Sequence, residues 1–211
     1  MIVAQGKWKK TAISALLGGV LGFGAMVVFL KWGGGRQLEA LGGDRLAVAA
    51  IGIVFLLMGL VVAMGLMAPR AGAKVLNVSD PEELTEMRGQ LGRSAATFVL
   101  SGALLLLLAA SGPGGTIADE VALGATALVI ATVALLTWHS YRKFDELWRQ
   151  MSNEGSAAAL GLLMPALLVW SVLAHLGRAD FSPLGVIALV AATTLLGSFI
   201  AVGRRGMLVP K

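Results

Sequence analysis

Six stretches of this chain contain no Asp, Glu, Lys or Arg: residues 11–30, 46–69, 94–118, 121–141, 155–177 and 181–203. Each reaches the roughly 20 residues that an α-helix needs to cross the hydrocarbon core of a bilayer. In lipid every backbone amide and carbonyl must be paired internally, so runs of this kind must be helices. They lack the polar/apolar alternation of a barrel strand. The expectation is an all-α integral membrane protein, a single polytopic domain of six transmembrane helices. Its spans lie at about 11–30, 46–68, 94–112, 120–141, 156–176 and 182–203. They are arranged as three helical hairpins, with two short cytoplasmic amphipathic segments.

Composition agrees. Of 211 residues 57% are hydrophobic and 14% charged, against roughly a quarter charged in a soluble domain. With no cysteine, the chain has no disulfide, thiolate nucleophile or Cys-based metal site, and its two histidines leave little for other transition metals. No cofactor and no metal are expected.

The basic residues set orientation, because short cytoplasmic loops retain Lys and Arg. Lys7, Lys9, Lys10, Arg70, Lys74, Arg88, Arg93, Arg142, Lys143, Arg149, Arg204, Arg205 and Lys211 fall on one side; Lys31, Arg36, Arg45 and Arg178 fall on the other. Both termini are therefore expected in the cytoplasm, in a bacterial-type inner membrane. Trp8, Trp32, Trp138, Tyr141 and Trp170 stand at span ends, as interfacial aromatic belts do. Lys7 to Lys10 before the first span read as a retained signal anchor. The net charge of +5 follows from the positive-inside bias and needs no nucleic-acid partner.

The two charged connections resemble each other. Shifted by 63 positions, Glu82-Glu83-Leu84 falls on Asp145-Glu146-Leu147 and Ala103-Leu104-Leu105 on Ala166-Leu167-Leu168, a pattern that suggests duplicated hairpins. Asp80-Pro81-Glu82-Glu83 is a helix start: a capping Asp, Pro at the first helical position, then acids at the positive end of the helix dipole. Leu84, Met87 and Leu91 recur at helical spacing, so an amphipathic prefix runs into span 3. Phe144, Leu147, Trp148 and Met151 form a similar face after span 4, and Ser152-Asn153-Glu154-Gly155 reads as the turn that opens span 5. Gly18-x-x-x-Gly22 and Gly59-x-x-x-Ala63 permit close helix approach, within the chain or between copies. Pro165 removes a backbone donor and is expected to kink span 5 at the carbonyl of Gly161.

No span carries an internal acid or base, and ion-coupled carriers, pumps and voltage sensors rely on such groups. His139 and His175 lie at opposite membrane faces, about 30 Å apart, and cannot ligate one centre. No Gly-x-Ser-x-Gly turn stands opposite either histidine, and no phosphate loop is present. Titratable groups of both signs meet aromatics only in the layer formed by residues 80–93 and 139–154. The residues expected to dock a partner or a lipid headgroup are Leu84, Met87, Arg88, His139, Arg142, Asp145, Glu146, Trp148 and Arg149. Gly161, Pro165, Trp170, Thr194 and Ser198 mark an alternative intramembrane site.

The functional expectation is a structural or accessory subunit, a scaffold that acts by helix packing and through its cytoplasmic segments. Its partners are the lipid bilayer and either a membrane protein or a second copy. The alternative is a passive or partner-driven permease for a small neutral or amphipathic solute or lipid. A third reading is a lipid-modifying enzyme using His139, Asp145 and Glu146.

Overall fold

The computed structural model describes residues 42–75 and 80–205, together with helical positions at Gly24, Val27, Val28 and Lys31. Apart from those positions, the first expected span with its Gly18-x-x-x-Gly22 spacing lies outside the described residues, as do Trp8, Trp32 and both termini. All regular structure in the described residues is helical: α1 (Gly43–Met67), α2 (Pro69–Val75), α3 (Pro81–Glu86), α4 (Arg88–Ala110), α5 (Asp119–Lys143), α6 (Glu146–His175) and α7 (Pro183–Arg204). Five of these, α1, α4, α5, α6 and α7, are long and apolar enough to cross a membrane. They overlap the second to sixth expected spans, with α4 and α6 beginning earlier, at Arg88 and Glu146.

Local chemistry sets the helix ends. Asp80 caps α3 by accepting the amide of Glu83 at 2.8 Å, and Pro81 takes the first helical position. α5 opens on Asp119 and Glu120 and closes on Arg142 and Lys143, each pair favourable to its end of the dipole. Gly177 adopts φ +68° just past α6, where the amide of Arg178 reaches back to the carbonyl of Leu173 at 2.8 Å. Glycine alone enters that left-handed conformation freely.

Two expectations are corrected here. Residues 152–155 are not a turn: α6 runs unbroken from Glu146 through Pro165 to His175, so the second amphipathic segment is the first part of a 30-residue helix. The break lies earlier, at extended Phe144 and Asp145, because the Asp145 carboxylate caps α6 by accepting the amide of Trp148 at 2.9 Å. The first amphipathic segment is likewise not continuous with span 3, since α3 ends at Glu86 and α4 restarts at Arg88 across Met87. The two connecting segments thus differ in structure. The residue aligned with Asp145 is Glu82, whereas the cap of α3 is Asp80.

The antiparallel pair α1/α4 is built on small residues seven positions apart. On α1, Gly52 and Gly59 are buried; on α4, Ala95, Gly102 and Ala109 are buried. A Cβ on Gly102 would stand 2.7 Å from both the Gly52 carbonyl and the Leu56 amide, and one on Gly59 would stand 2.9 Å from the Ala95 carbonyl. Seven-residue spacing keeps one seam of each helix facing the other, and missing side chains let the backbones approach. Gly59 therefore packs within the chain. α6 and α7 make a second antiparallel pair, in which a Cβ on Gly197 would meet the Ala159 amide at 2.7 Å and also the Gly155 carbonyl.

The hydrophobic core lies where α1, α4 and α7 meet: Val48, Ala49, Phe55, Leu105, Ala109 and Ala188, with the Phe98 ring tilted against Phe55 at 5.5 Å between centroids. α5 packs on α4, and α6 packs on α7. The remaining faces of α5 and α6 are apolar and exposed, with Leu123, Leu128, Leu135, Leu160, Met164 and Leu168 outermost. Such faces suit lipid contact, where apolar exposure carries no hydration cost.

Candidate functional site

One end of the bundle gathers the start of α4, the end of α5, the start of α6 and the end of α7. It carries most of the described basic residues. Arg93 of α4 donates through Nε to the buried Ser140 hydroxyl of α5 at 2.9 Å. Arg205 pairs with Glu154 at 2.7 Å, fixing the first turns of α6 to the end of α7.

Between these ties runs an aromatic ladder. Tyr141 and Phe144 have ring centroids 6.2 Å apart, and Phe144 and Trp148 6.3 Å. Two arginines lie on aromatic faces: Arg142 is 5.8 Å from the Trp138 ring and Arg149 is 5.7 Å from the Tyr141 ring. Trp138 is 65% exposed. Cation–π contact holds a guanidinium in place without neutralising its charge.

The proposed docking residues thus occupy different situations. Arg142, Trp148 and Arg149 belong to the ladder. His139 is exposed one residue from Trp138. Asp145 is engaged as the α6 cap, and Glu146 accepts from Gln150 at 3.2 Å and lies 4.0 Å from Arg149. On the other connection Leu84 is 1% exposed, in a short helix that packs on α2 and α4. Its side chain is not presented to a partner. Met87 forms the α3/α4 junction and Arg88 is exposed.

The residues marked as an intramembrane site fall on two paired helices, Gly161, Pro165 and Trp170 on α6 and Thr194 and Ser198 on α7. Gly161 and Pro165 are exposed on α6, with no neighbouring atom within 4 Å of a Cβ built on Gly161. Trp170 donates Nε1–H to the Asp180 carbonyl at 3.0 Å, and its ring lies 5.4 Å from Phe181 and against Gly185. Thr194 and Ser198 donate to the carbonyls one turn back, Val190 at 2.8 Å and Thr194 at 2.9 Å. Hydroxyls engaged in this way satisfy their own helix.

At the opposite end the sequence reading missed an ordered cluster. Arg45 is buried at 6% exposure and donates to the carbonyls of Ala109 at 3.1 Å, Ser111 at 2.5 Å and Pro113 at 3.0 Å. A guanidinium is here placed at the negative end of α4, where carbonyls have no helical partner. Beside it Ser182 donates to Asp44 at 2.6 Å. The adjacent Asp44-Arg45 pair at the mouth of a span was the available sign, but as sequence it bore only on orientation. His139 and His175 stand at opposite ends of the bundle, and among the described residues no group of three His, Asp or Glu is placed to hold a metal.

No family model, curated protein or solved structure matches the chain.

Proposed function

We propose that this protein is a six-span scaffold or accessory subunit of a bacterial-type inner membrane, built as three hairpins, with its basic end and both termini in the cytoplasm. The observation that carries the reading is the length of α6. Its 30 residues rise about 45 Å at 1.5 Å each, while a hydrocarbon core is about 30 Å thick. On this reading roughly three turns stand beyond the core at the basic end, capped by Asp145 and tied to the end of α7 by the Arg205–Glu154 pair. Exposed Leu147, Glu146 and Gln150 lie on that projection, which gives a membrane partner a preformed helical face. A permease draws less support, because Thr194 and Ser198 are satisfied within α7 and α6 is closely packed on α7 at Gly155 and Gly197.

The test is a mild-detergent pull-down of the tagged chain from its native membrane, with intact-mass measurement of what accompanies it. A stoichiometric membrane-protein partner that is lost on Leu147→Asp supports the reading. A lone monomer, or a complex indifferent to that substitution, overturns it. Reporter fusions at each loop check the orientation independently.

A further inference from the structure

The notch between the end of α5 and the start of α6 holds an arginine whose donors are underused. Arg149 has five N–H groups to satisfy. Among the described residues its Nε is buried with no acceptor, Nη2 reaches the Phe144 carbonyl only at 3.4 Å, and Nη1 stands 4.0 Å from Glu146. The side chain as a whole is 43% exposed, so a ligand from outside would meet the Nη groups and not the enclosed Nε. Of the acids nearby, Glu154 is neutralised by Arg205, Asp145 caps α6, and Glu146 accepts from Gln150 while standing at the 4.0 Å limit of an ion pair with Arg149. Arg142 sits on Trp138 with no ion pair among the described residues, and Lys143 follows it at the end of α5. Among the described residues Arg142, Lys143 and Arg149 outnumber the Asp145 and Glu146 carboxylates beside them, three charges to two, so the corner between α5 and α6 keeps an excess positive charge.

We propose that this notch binds the phosphate of an anionic phospholipid from the adjoining leaflet, held by Arg149 and Arg142 with Lys143 as a third charge. A planar guanidinium matches phosphate oxygens in a forked geometry, and π-contact with Tyr141 and Trp138 pre-orients both arginines for it. The lipid source is favoured over a soluble phosphate by what lies beside the cations. Trp138 is an exposed interfacial aromatic, and Leu135, 70% exposed on the same helix, continues into the bilayer. α5 and α6, joined by only Phe144 and Asp145, do not pack along their lengths: α5 leans on α4 and α6 on α7. An acyl chain has an apolar surface to follow. This proposal is independent of the protein partner proposed above, since it concerns the chain alone.

The experiment uses delipidated full-length protein in neutral detergent, titrated with phosphatidylglycerol or phosphatidylcholine of identical chains, with bound lipid read by native mass spectrometry. Phosphatidylglycerol is expected to bind more tightly. A basic residue near an anionic headgroup contributes about five-fold, so Arg142→Gln and Arg149→Gln should each weaken phosphatidylglycerol by about that factor and leave phosphatidylcholine unchanged. Arg149→Lys, which keeps the charge and loses the fork, should fall between wild type and Arg149→Gln; Arg178→Gln, at the other end, should change nothing. Helicity by circular dichroism verifies that each variant is folded. Equal affinity for the two lipids overturns the proposal, as does an unchanged preference in the doubly substituted protein. Displacement of bound phosphatidylglycerol by equimolar inorganic phosphate also overturns it, by assigning the notch to a soluble anion.

Discussion

Ser182 donates its hydroxyl proton to the carboxylate of Asp44 at 2.6 Å while its oxygen accepts the amide of Gly185 at 3.1 Å. One side chain therefore caps α7 and ties it to the first turn of α1, across a large separation in sequence. Ser182→Ala removes both bonds. We expect a loss of about 1–2 kcal/mol in unfolding free energy, measured in detergent by denaturant titration, with Ser182→Thr retaining most of it. An alanine variant as stable as wild type would show that the tie contributes nothing.

Arg45 presents the larger effect. Its guanidinium is the common partner of three carbonyls at the end of α4, and the side chain is almost wholly buried. Arg45→Met leaves those carbonyls without a charged donor, and the expected cost is about 2–3 kcal/mol. Because the bonds organise the loop between α4 and α5, protease sensitivity near Gly112 to Gly115 should rise in the same variant. Unchanged stability and unchanged cleavage together would contradict this account.

The glycines divide into two kinds. Gly102 faces the α1 backbone, so Gly102→Val should destabilise the α1/α4 pair by about 1–3 kcal/mol through forced separation. Gly124 on α5 has no neighbouring atom within 4 Å of its Cβ position, and Gly124→Ala should be neutral or raise stability by about 0.5–1 kcal/mol. Thermal unfolding of the two variants side by side reads the difference. Equal behaviour would mean that the close crossing is not what stabilises the pair.

Asp145 offers a test of role. As the cap of α6 it needs an acceptor oxygen and not a charge, so Asp145→Asn should keep helix stability while Asp145→Ala loses about 1 kcal/mol. If the carboxylate instead served a charged partner, Asn and Ala would be equally damaging to that partner's recovery.

Much of the fold was legible because lipid leaves so few options. Charge-free windows of span length have to be helices, and the described helices fall where the second to sixth windows lie. The Asp80-Pro81 start was equally readable, since a cap acts within four residues of itself. Ser152-Asn153-Glu154-Gly155 misled for a physical reason. Polar turn residues also suit a helix that has left the hydrocarbon core, and Gly155 is there to admit Gly197, not to bend the chain. Arg149 was visible as a residue expected to dock a partner or a headgroup; its deficit of acceptors was not, because a deficit exists only once the neighbours are placed.

The sequence by itself determined that this chain is helical, rich in membrane-spanning length and charged chiefly at the span ends, since solvation by lipid acts on each segment separately. Tertiary structure decided which helices pair. It set Gly52 against Gly102 and Gly155 against Gly197, buried Arg45 on the carbonyls of α4, and left α5 and α6 joined but unpacked. Those relations depend on which faces meet. In an apolar solvent that choice rests on close backbone approach and on satisfying the few buried polar groups, and neither is a property of any one segment.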